Sequence, residues 1–249
     1  MHVDQEAIYL FDVETTGLSG ARDRICEIAA LRWLPPSVRA EVPSLEWSTL
    51  VNPGIPIPAG ARAVHGIGDD DVVDAPSVEQ AIATFNRFVP ETALIVAHHI
   101  AFDRSFVDLG ARRQACTLRI ARRLWPQAPS HKNAELAAWL GVDISAYRRH
   151  RALADVSMTA AIFDRIVARL TELDGVPPSA DRIATWCEDA PTVTVLPFGK
   201  YRGVALRDVP LDYLCYAQKS WSDVESRLRE ALSREIDRRA MEEVSAHSL

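Results

Sequence analysis

FDVETTGL, Phe11 to Leu18, decides how this chain is read. Its apolar lead-in, Ile8, Tyr9, Leu10 and Phe11, has strand composition, and Thr15-Thr16-Gly17 ends it. Residues two apart on a strand project from the same face, so Asp12 and Glu14 stand side by side at one edge of a hydrophobic sheet. Two carboxylates there repel one another unless protonated or bridged by a cation, and hard oxygen ligands suit Mg2+ or Mn2+. Taken alone, a D-x-E triplet more often marks a strand end whose acids point into solvent. The rest of the chain decides between the two.

Ile25 to Leu34 is apolar enough for a second, central strand stopped by Pro35-Pro36, and Leu45 to Val51 reads as a third. Three strands in a row predict an antiparallel meander at the start of a mixed sheet. Ala63 to Val72 reads as a loop, with His65 a candidate substrate contact. The triplet Asp69, Asp70 and Asp71 there is taken as structural, favouring the positive end of a following helix. Val78, Ala81, Ile82 and Phe85 predict a helix within 76–88, and Ala93 to Ala97 a short strand. In HHIAFDRSF, Phe102, Phe106 and Leu109 fall at i, i+4 and i+7, predicting a core-facing helix whose first turn carries Asp103 past the strand end. Residues 112–123 are basic with Leu118, Ile120 and Leu124 interleaved, and Ala134 to Leu140 is a short helix closed by Gly141. RRHRALADV, Arg148 to Val156, opens the longest amphipathic helix, with Val156, Ala160, Phe163, Val167 and Leu170 as its stripe. Asp155 lies in its first turn and His150 just before it.

These placements let Asp12, Glu14, Asp103 and Asp155 converge at one sheet edge. With neighbours about 5 Å apart and an effective dielectric of about 20, each ionised pair costs on the order of 3 kcal/mol. Six such pairs would exceed a typical domain's net stability, so the cluster must be neutralised. Two divalent ions balance four carboxylates, and such a pair suits phosphodiester hydrolysis, with His150 available as a base for water.

Composition is compatible with an enzyme of this kind. Hydrophobic residues make up 48% of the 249 and charged residues 25%, which excludes wholesale disorder. A net charge of −6 argues against a protein that coats nucleic acid by bulk attraction, but not against one that holds a few nucleotides through metal ions. Cys26, Cys116, Cys187 and Cys215 follow no zinc or disulfide spacing. No run approaches membrane-spanning length, and the expectation is a cytoplasmic protein with no membrane partner.

FDVETTGL, AHHIAFD and HRALADV, in that order, resemble the three motifs of the DEDD-type 3′-to-5′ exonucleases with a histidine in the third motif, the superfamily of polymerase proofreading subunits and ribonuclease T. The resemblance spans roughly the first 170 residues. It implies an α/β, ribonuclease H-like mixed sheet flanked by helices. It also implies two Mg2+ or Mn2+ ions on Asp12, Glu14, Asp103 and Asp155, with His150 as general base. By the same resemblance Thr15, Thr16, Gly17 and Leu18 meet the terminal nucleotide, His65 lies near its sugar and Phe102 packs by the scissile region. His99 stands where the family commonly has Asn, and His98 and His99 read as structural.

The expected organisation is an exonuclease domain over 1–172, a linker over 173–190 marked by Asp174-Gly175 and Pro177-Pro178, and a small α+β module over 191–249. PFGKYRGVALRDVPLDYLCY within that module, residues 197–216, is similar to one appended to exonuclease X-like proteins. It reads as strand, tight turn at Gly199 to Gly203, strand and a helix entered at Pro210. Phe198, Lys200, Tyr201 and Arg202 are candidates to stack on and grip a single strand, or to form the module's core. A terminal helix with Val224, Leu228, Leu232 and Ile236 could dock back or dimerise. The leading expectation is removal of 5′-mononucleotides from single-stranded or frayed 3′ ends of DNA, with a polymerase or repair protein as a candidate partner. Alternatives are the same chemistry on RNA, and a catalytically silent nucleic-acid-binding adaptor.

Overall fold

The computed structural model describes residues 7–39, 41–42, 45–145, 150–188 and 193–221, and beyond them 224, 228–229, 231–233, 235–236 and 238–239. The chain divides into two compact units, residues 1–190 and 191–249.

In the first unit five strands run in the order β3-β2-β1-β4-β5. They are β1 (Ile8–Thr15), β2 (Ile25–Trp33), β3 (Glu46–Leu50), β4 (Leu94–Ala97) and β5 (Arg113–Cys116). The first three form the expected antiparallel meander, and β4 and β5 add in parallel on the other side of β1. β1 is therefore central, and its end and that of β4 open on the same edge of the sheet.

Alternation along β1 sorts its two faces. Tyr9 and Phe11 meet Phe88 and Phe85 of the helix α4 (Val78–Phe88), which is preceded by α1 (Pro36–Arg39), α2 (Ala59–His65) and α3 (Asp69–Val72). Ile8 faces the other way. Its partner across β2 is Trp33, which packs edge-on at 5.1 Å against Phe163 of α8 (Ala152–Asp174). The same parity puts Asp12 and Glu14 on the α8 face. α8 is the long amphipathic helix expected, with Val156, Ala160, Phe163 and Leu170 buried and Val167 partly so. Each fully buried large apolar side chain contributes about 1.5–3 kcal/mol, so this stripe fixes the helix on the sheet. Gly175, at φ 73°, ends it in the left-handed conformation.

Several expectations are corrected. Residues 63–72 are not a loop: Pro58 enters α2, Gly66 at φ 75° closes it, and the three aspartates form the first turn of the short α3. Their structural role stands, since Asp71 accepts from the Gly68 N–H and Asp69 from the Ile57 N–H. The helix expected to run through Phe106 and Leu109 ends at Asp103 as α5 (Ile100–Asp103). Ser105 Oγ turns back onto the Phe102 carbonyl at 2.7 Å, and Phe106 and Leu109 pack from irregular turns. The basic stretch after Arg112 begins as β5 and then becomes α6 (Thr117–Leu124), with α7 (Asn133–Trp139) following. Four residues on a sheet edge show too little alternation to reveal a strand.

The linker expected over 173–190 is also corrected. After the Pro177-Pro178 break, α9 (Ala180–Glu188) packs on β5 and α6, burying Ile183 and Cys187 in the main core. In the second unit the two expected strands reduce to one antiparallel bridge, Val195 to Ala205. A 3-10 turn (Leu206–Asp208) and α10 (Leu211–Ser220) follow, the latter entered at Pro210. Leu196, Leu206, Val209, Leu214, Leu228 and Leu232 form this unit's core, so the terminal segment docks within its own module.

Candidate active site

The alternation of β1 leaves Asp12 and Glu14 half-buried between buried Phe11, Val13 and Thr15. Across the antiparallel pair Asp12 faces Ala29 and Glu14 faces Glu27. The chain leaving β4 passes His98 and His99 into α5, which delivers the buried Asp103 to the same edge. From the other side, the first turn of α8 brings Asp155. Ligand atoms of Glu14, His150 and Asp155 lie within 4.8 Å of one another.

Electrostatics tie the remaining two acids to this group. Burial, and then the charges of Asp103, Glu14 and Asp155, hold the Asp12 carboxyl well above the usual range. Glu14 is pushed up to about 8, by burial first and by Asp155 and Glu27 next, with Arg151 opposing. Burial raises Asp103 to about 7 against the stabilising N–H groups of its own backbone and of Val13. A donor set of carboxylates and one imidazole, with Asp12, Glu14 and Asp103 raised by burial and the first two raised further by neighbouring acids, suits a hard divalent cation.

His150 is the one non-glycine residue with positive φ, 57°, among the described residues. Such a conformation persists only where surrounding contacts impose it. Two contacts are visible. The His150 N–H donates to Asp155 Oδ2 at 3.1 Å. Next to it, Arg151 forms a fork onto Glu27, with Nε 3.0 Å from Oε2 and Nη2 2.6 Å from Oε1, and Glu27 also accepts from the Ala152 N–H at 2.9 Å. Glu27 and Arg151 therefore anchor the start of α8 to β2 beside Glu14. Sequence reasoning missed this pair. The available signal was a charged residue interrupting the apolar run of β2.

The residues expected around the terminal nucleotide fall into three kinds. Leu18 is 87% exposed, an apolar side chain held out beside the acids. Phe102 is half-buried, with its ring 5.1 Å from Phe106. The hydroxyls of Thr15 and Thr16 serve the loop itself: Thr15 Oγ1 donates to the Gly17 carbonyl, and Thr16 Oγ1 accepts from the Arg24 N–H. Gly17 lies so close to Asp23 that an added Cβ would meet its carboxylate at 2.6 Å. His65 is buried, only 4% of it exposed, with its Nδ1 accepting from the Ile67 N–H and its Nε2 facing Cys26 Sγ. It packs beneath the site, close enough to Glu27, Arg151 and His150 for their charges to act on it. His98 is structural as expected, bonded to Thr117 Oγ1 and the His131 carbonyl and lowered to about 4 by burial.

The comparisons with known proteins agree with this geometry. Residues 10–163 match the family model described as "Exonuclease", and residues 191–233 match one described as "Putative quorum-sensing-regulated virulence factor". A DNA polymerase III subunit epsilon-like protein of Rhodobacter capsulatus is 35% identical over 182 residues, 68% of this chain and 25% of that protein. The PolC-type DNA polymerase III of Caldanaerobacter subterraneus is 33% identical over 172 residues, 66% of this chain and 12% of that protein. The chain thus spans a quarter or less of the length of these curated relatives. A solved structure of exonuclease X in complex with 5′ overhanging duplex DNA has 29% identity and a TM-score of 0.59, covering 72% of this chain and 99% of that one. Exonuclease I of E. coli with a dT13 oligonucleotide, at 21% identity and a TM-score of 0.55 over 69% of this chain and 43% of that one, shares the fold. With its three motifs gathered on one sheet edge and most of the first unit matched, this chain belongs to the exonuclease family, of the DEDD type.

Proposed function

We propose that the protein is a 3′-to-5′ exonuclease that removes mononucleotides from single-stranded or frayed 3′ ends of DNA in the cytoplasm. The observation carrying this reading is the convergence of four acids and His150, with Asp12, Glu14 and Asp103 all raised in pKa. Asp12, Glu14, Asp103 and Asp155 would hold two Mg2+ or Mn2+ ions. Bound there, divalent ions would supply charge stabilisation for the attacking and leaving oxygens of a phosphodiester. His150, exposed and oriented through its backbone bond to Asp155, accepts the proton of the attacking water. The backbone of 15–18 and the exposed Leu18 receive the terminal nucleotide, and Phe102 flanks the scissile phosphate. DNA is favoured over RNA because exonuclease X is seen on duplex DNA with a 5′ overhang and the curated relatives are DNA polymerase III proteins, which also make a polymerase a candidate partner.

A 5′-labelled oligodeoxynucleotide with Mg2+ tests this. Wild type should shorten it stepwise and release 5′-monophosphates, and Asp12→Ala or Asp155→Ala should abolish the ladder without loss of fold by circular dichroism. His150→Ala should lower turnover by about 10²–10⁴ while Mg2+ affinity changes far less. Full activity in either aspartate variant sinks the mechanism. Faster shortening of a matched RNA reassigns the substrate.

A further inference from the structure

The second unit carries a face that the catalytic reading does not use. Five aromatic rings form a connected group on it. Tyr213 of α10 is the hub, with ring centroids 4.8 Å from Tyr201, 5.9 Å from Tyr216 and 6.2 Å from Trp221, and Trp221 lies 4.6 Å from Phe198. The turn FGKYRG, residues 198–203, is clamped onto this hub. The Lys200 N–H donates to the Tyr213 hydroxyl at 2.9 Å. Gly199 sits at φ 84° so close to α10 that a Cβ would meet the same hydroxyl at 2.7 Å and the Trp221 ring at 3.1 Å.

On this clamped turn Phe198 is 43% exposed at one end of the group, and Tyr216 is 56% exposed at the other. Lys200, Arg202 and Lys219 are exposed on the turn and on α10, and Lys200 Nζ lies 5.3 Å from the Tyr201 ring. The chain has three lysines, and two of them are here. Among the described residues of 198–221 the acids are Asp208, which pairs with Arg207, and Asp212 at the start of α10. In a protein of net charge −6, an exposed aromatic surface edged by cations selects an anionic ligand that has flat apolar faces. Base faces stack on such rings whatever the sequence, and phosphates answer the cations.

We propose that this face binds single-stranded nucleic acid, with bases stacked on Phe198 and Tyr216 and phosphates held by Lys200 and Arg202. The proposal rests on the nucleic-acid substrate assigned above, and the test keeps the two apart. Binding of a 5′-fluorescein oligothymidylate of about twenty nucleotides is followed by anisotropy in the full chain carrying Asp12→Ala, so that no cleavage intervenes. Adding Phe198→Leu with Tyr216→Leu should weaken binding about tenfold or more. Adding Lys200→Gln with Arg202→Gln should flatten the salt dependence of log K by about 1.4, at about 0.7 for each single-strand phosphate contact. In chains with Asp12 intact, both pairs of substitutions should leave hydrolysis of the 4-nitrophenyl ester of thymidine 5′-monophosphate, which occupies only the catalytic site, at the wild-type rate. Unchanged oligonucleotide binding overturns the proposal, as does ester hydrolysis falling in step with binding. If wild type hydrolyses neither substrate while the binding losses appear, the catalytic reading fails and this surface stands.

Discussion

Glu27 and Arg151 illustrate how a residue outside the acid cluster governs it. Glu27 is buried opposite Glu14 and takes both the Arg151 fork and the Ala152 N–H, so the chain enters α8 with His150 in its left-handed conformation and Asp155 facing the acids. Removing one partner of a buried ion pair leaves the other uncompensated. Arg151→Ala should therefore destabilise the protein by about 3 kcal/mol, the lower end of the usual range because the Arg151 side chain is 33% exposed. Glu27→Gln keeps the shape and one acceptor, so it should unfold later than Arg151→Ala but still lose turnover more than substrate affinity. Denaturant melts and separate kcat and KM values check both, and a Glu27→Gln enzyme with wild-type kcat would remove the pair from any positioning role.

At the scale of elements, the segment after β1 is held against the segment after α5. A Cβ on Gly20 would fall far inside contact distance of the Ser105 carbonyl oxygen, so the loop carrying Leu18 rests directly on the turn that follows Asp103. Backbone cannot yield there as a flexible side chain would. Gly20→Ala should push the two segments apart, costing on the order of 1–3 kcal/mol by overpacking. Because the loop carries Leu18, KM for an oligonucleotide should rise alongside. Unchanged melting and KM would mean that the contact is dispensable. Among the elements that escaped sequence reading, β5 and the early end of α5 did so for one reason. Each spans four residues, too few for a hydrophobic period to be distinguished from chance.

On the whole molecule, the boundary matters more than the sequence suggested. α9 lies on β5, the edge strand. The Cys116 N–H meets Cys187 Sγ at 3.2 Å, Arg113 pairs with Asp181, and the Arg123 guanidinium stacks 4.0 Å over the Trp186 ring and donates to the Trp186 carbonyl. A chain ending at residue 172 loses this cover, exposing a sheet edge and the pocket of Ile183, and should aggregate or melt early. One ending at residue 190 should fold, and its melting curve compared with that of the shorter chain checks the assignment. Metal-free protein should also show the charge conflict directly. Carboxyls raised in the folded state, Glu14 to about 8 and Asp103 to about 7, give a contribution present below the unfolded carboxylate pKa and lost as pH rises through the folded values. In chelator the melting temperature should fall from about pH 5 to pH 8, and Mn2+ or Mg2+ at pH 8 should restore it, since a ligand of the folded state alone stabilises it. A flat profile in chelator would mean that these acids are not in conflict.

The amino-acid sequence by itself determined the meander of β1 to β3, the long helix α8, and the three motifs that carry Asp12, Glu14, Asp103, His150 and Asp155. Those signals are local: alternation, helical period and residue spacing along a few turns of chain. The tertiary structure alone decided that Glu27 and Arg151 hold the last motif in place, that His65 packs under the site, that α9 belongs to the first unit, and that Phe198 stays exposed on a clamped turn. Each of these depends on which distant groups meet across the fold, and no periodicity along the chain encodes a partner 124 residues away.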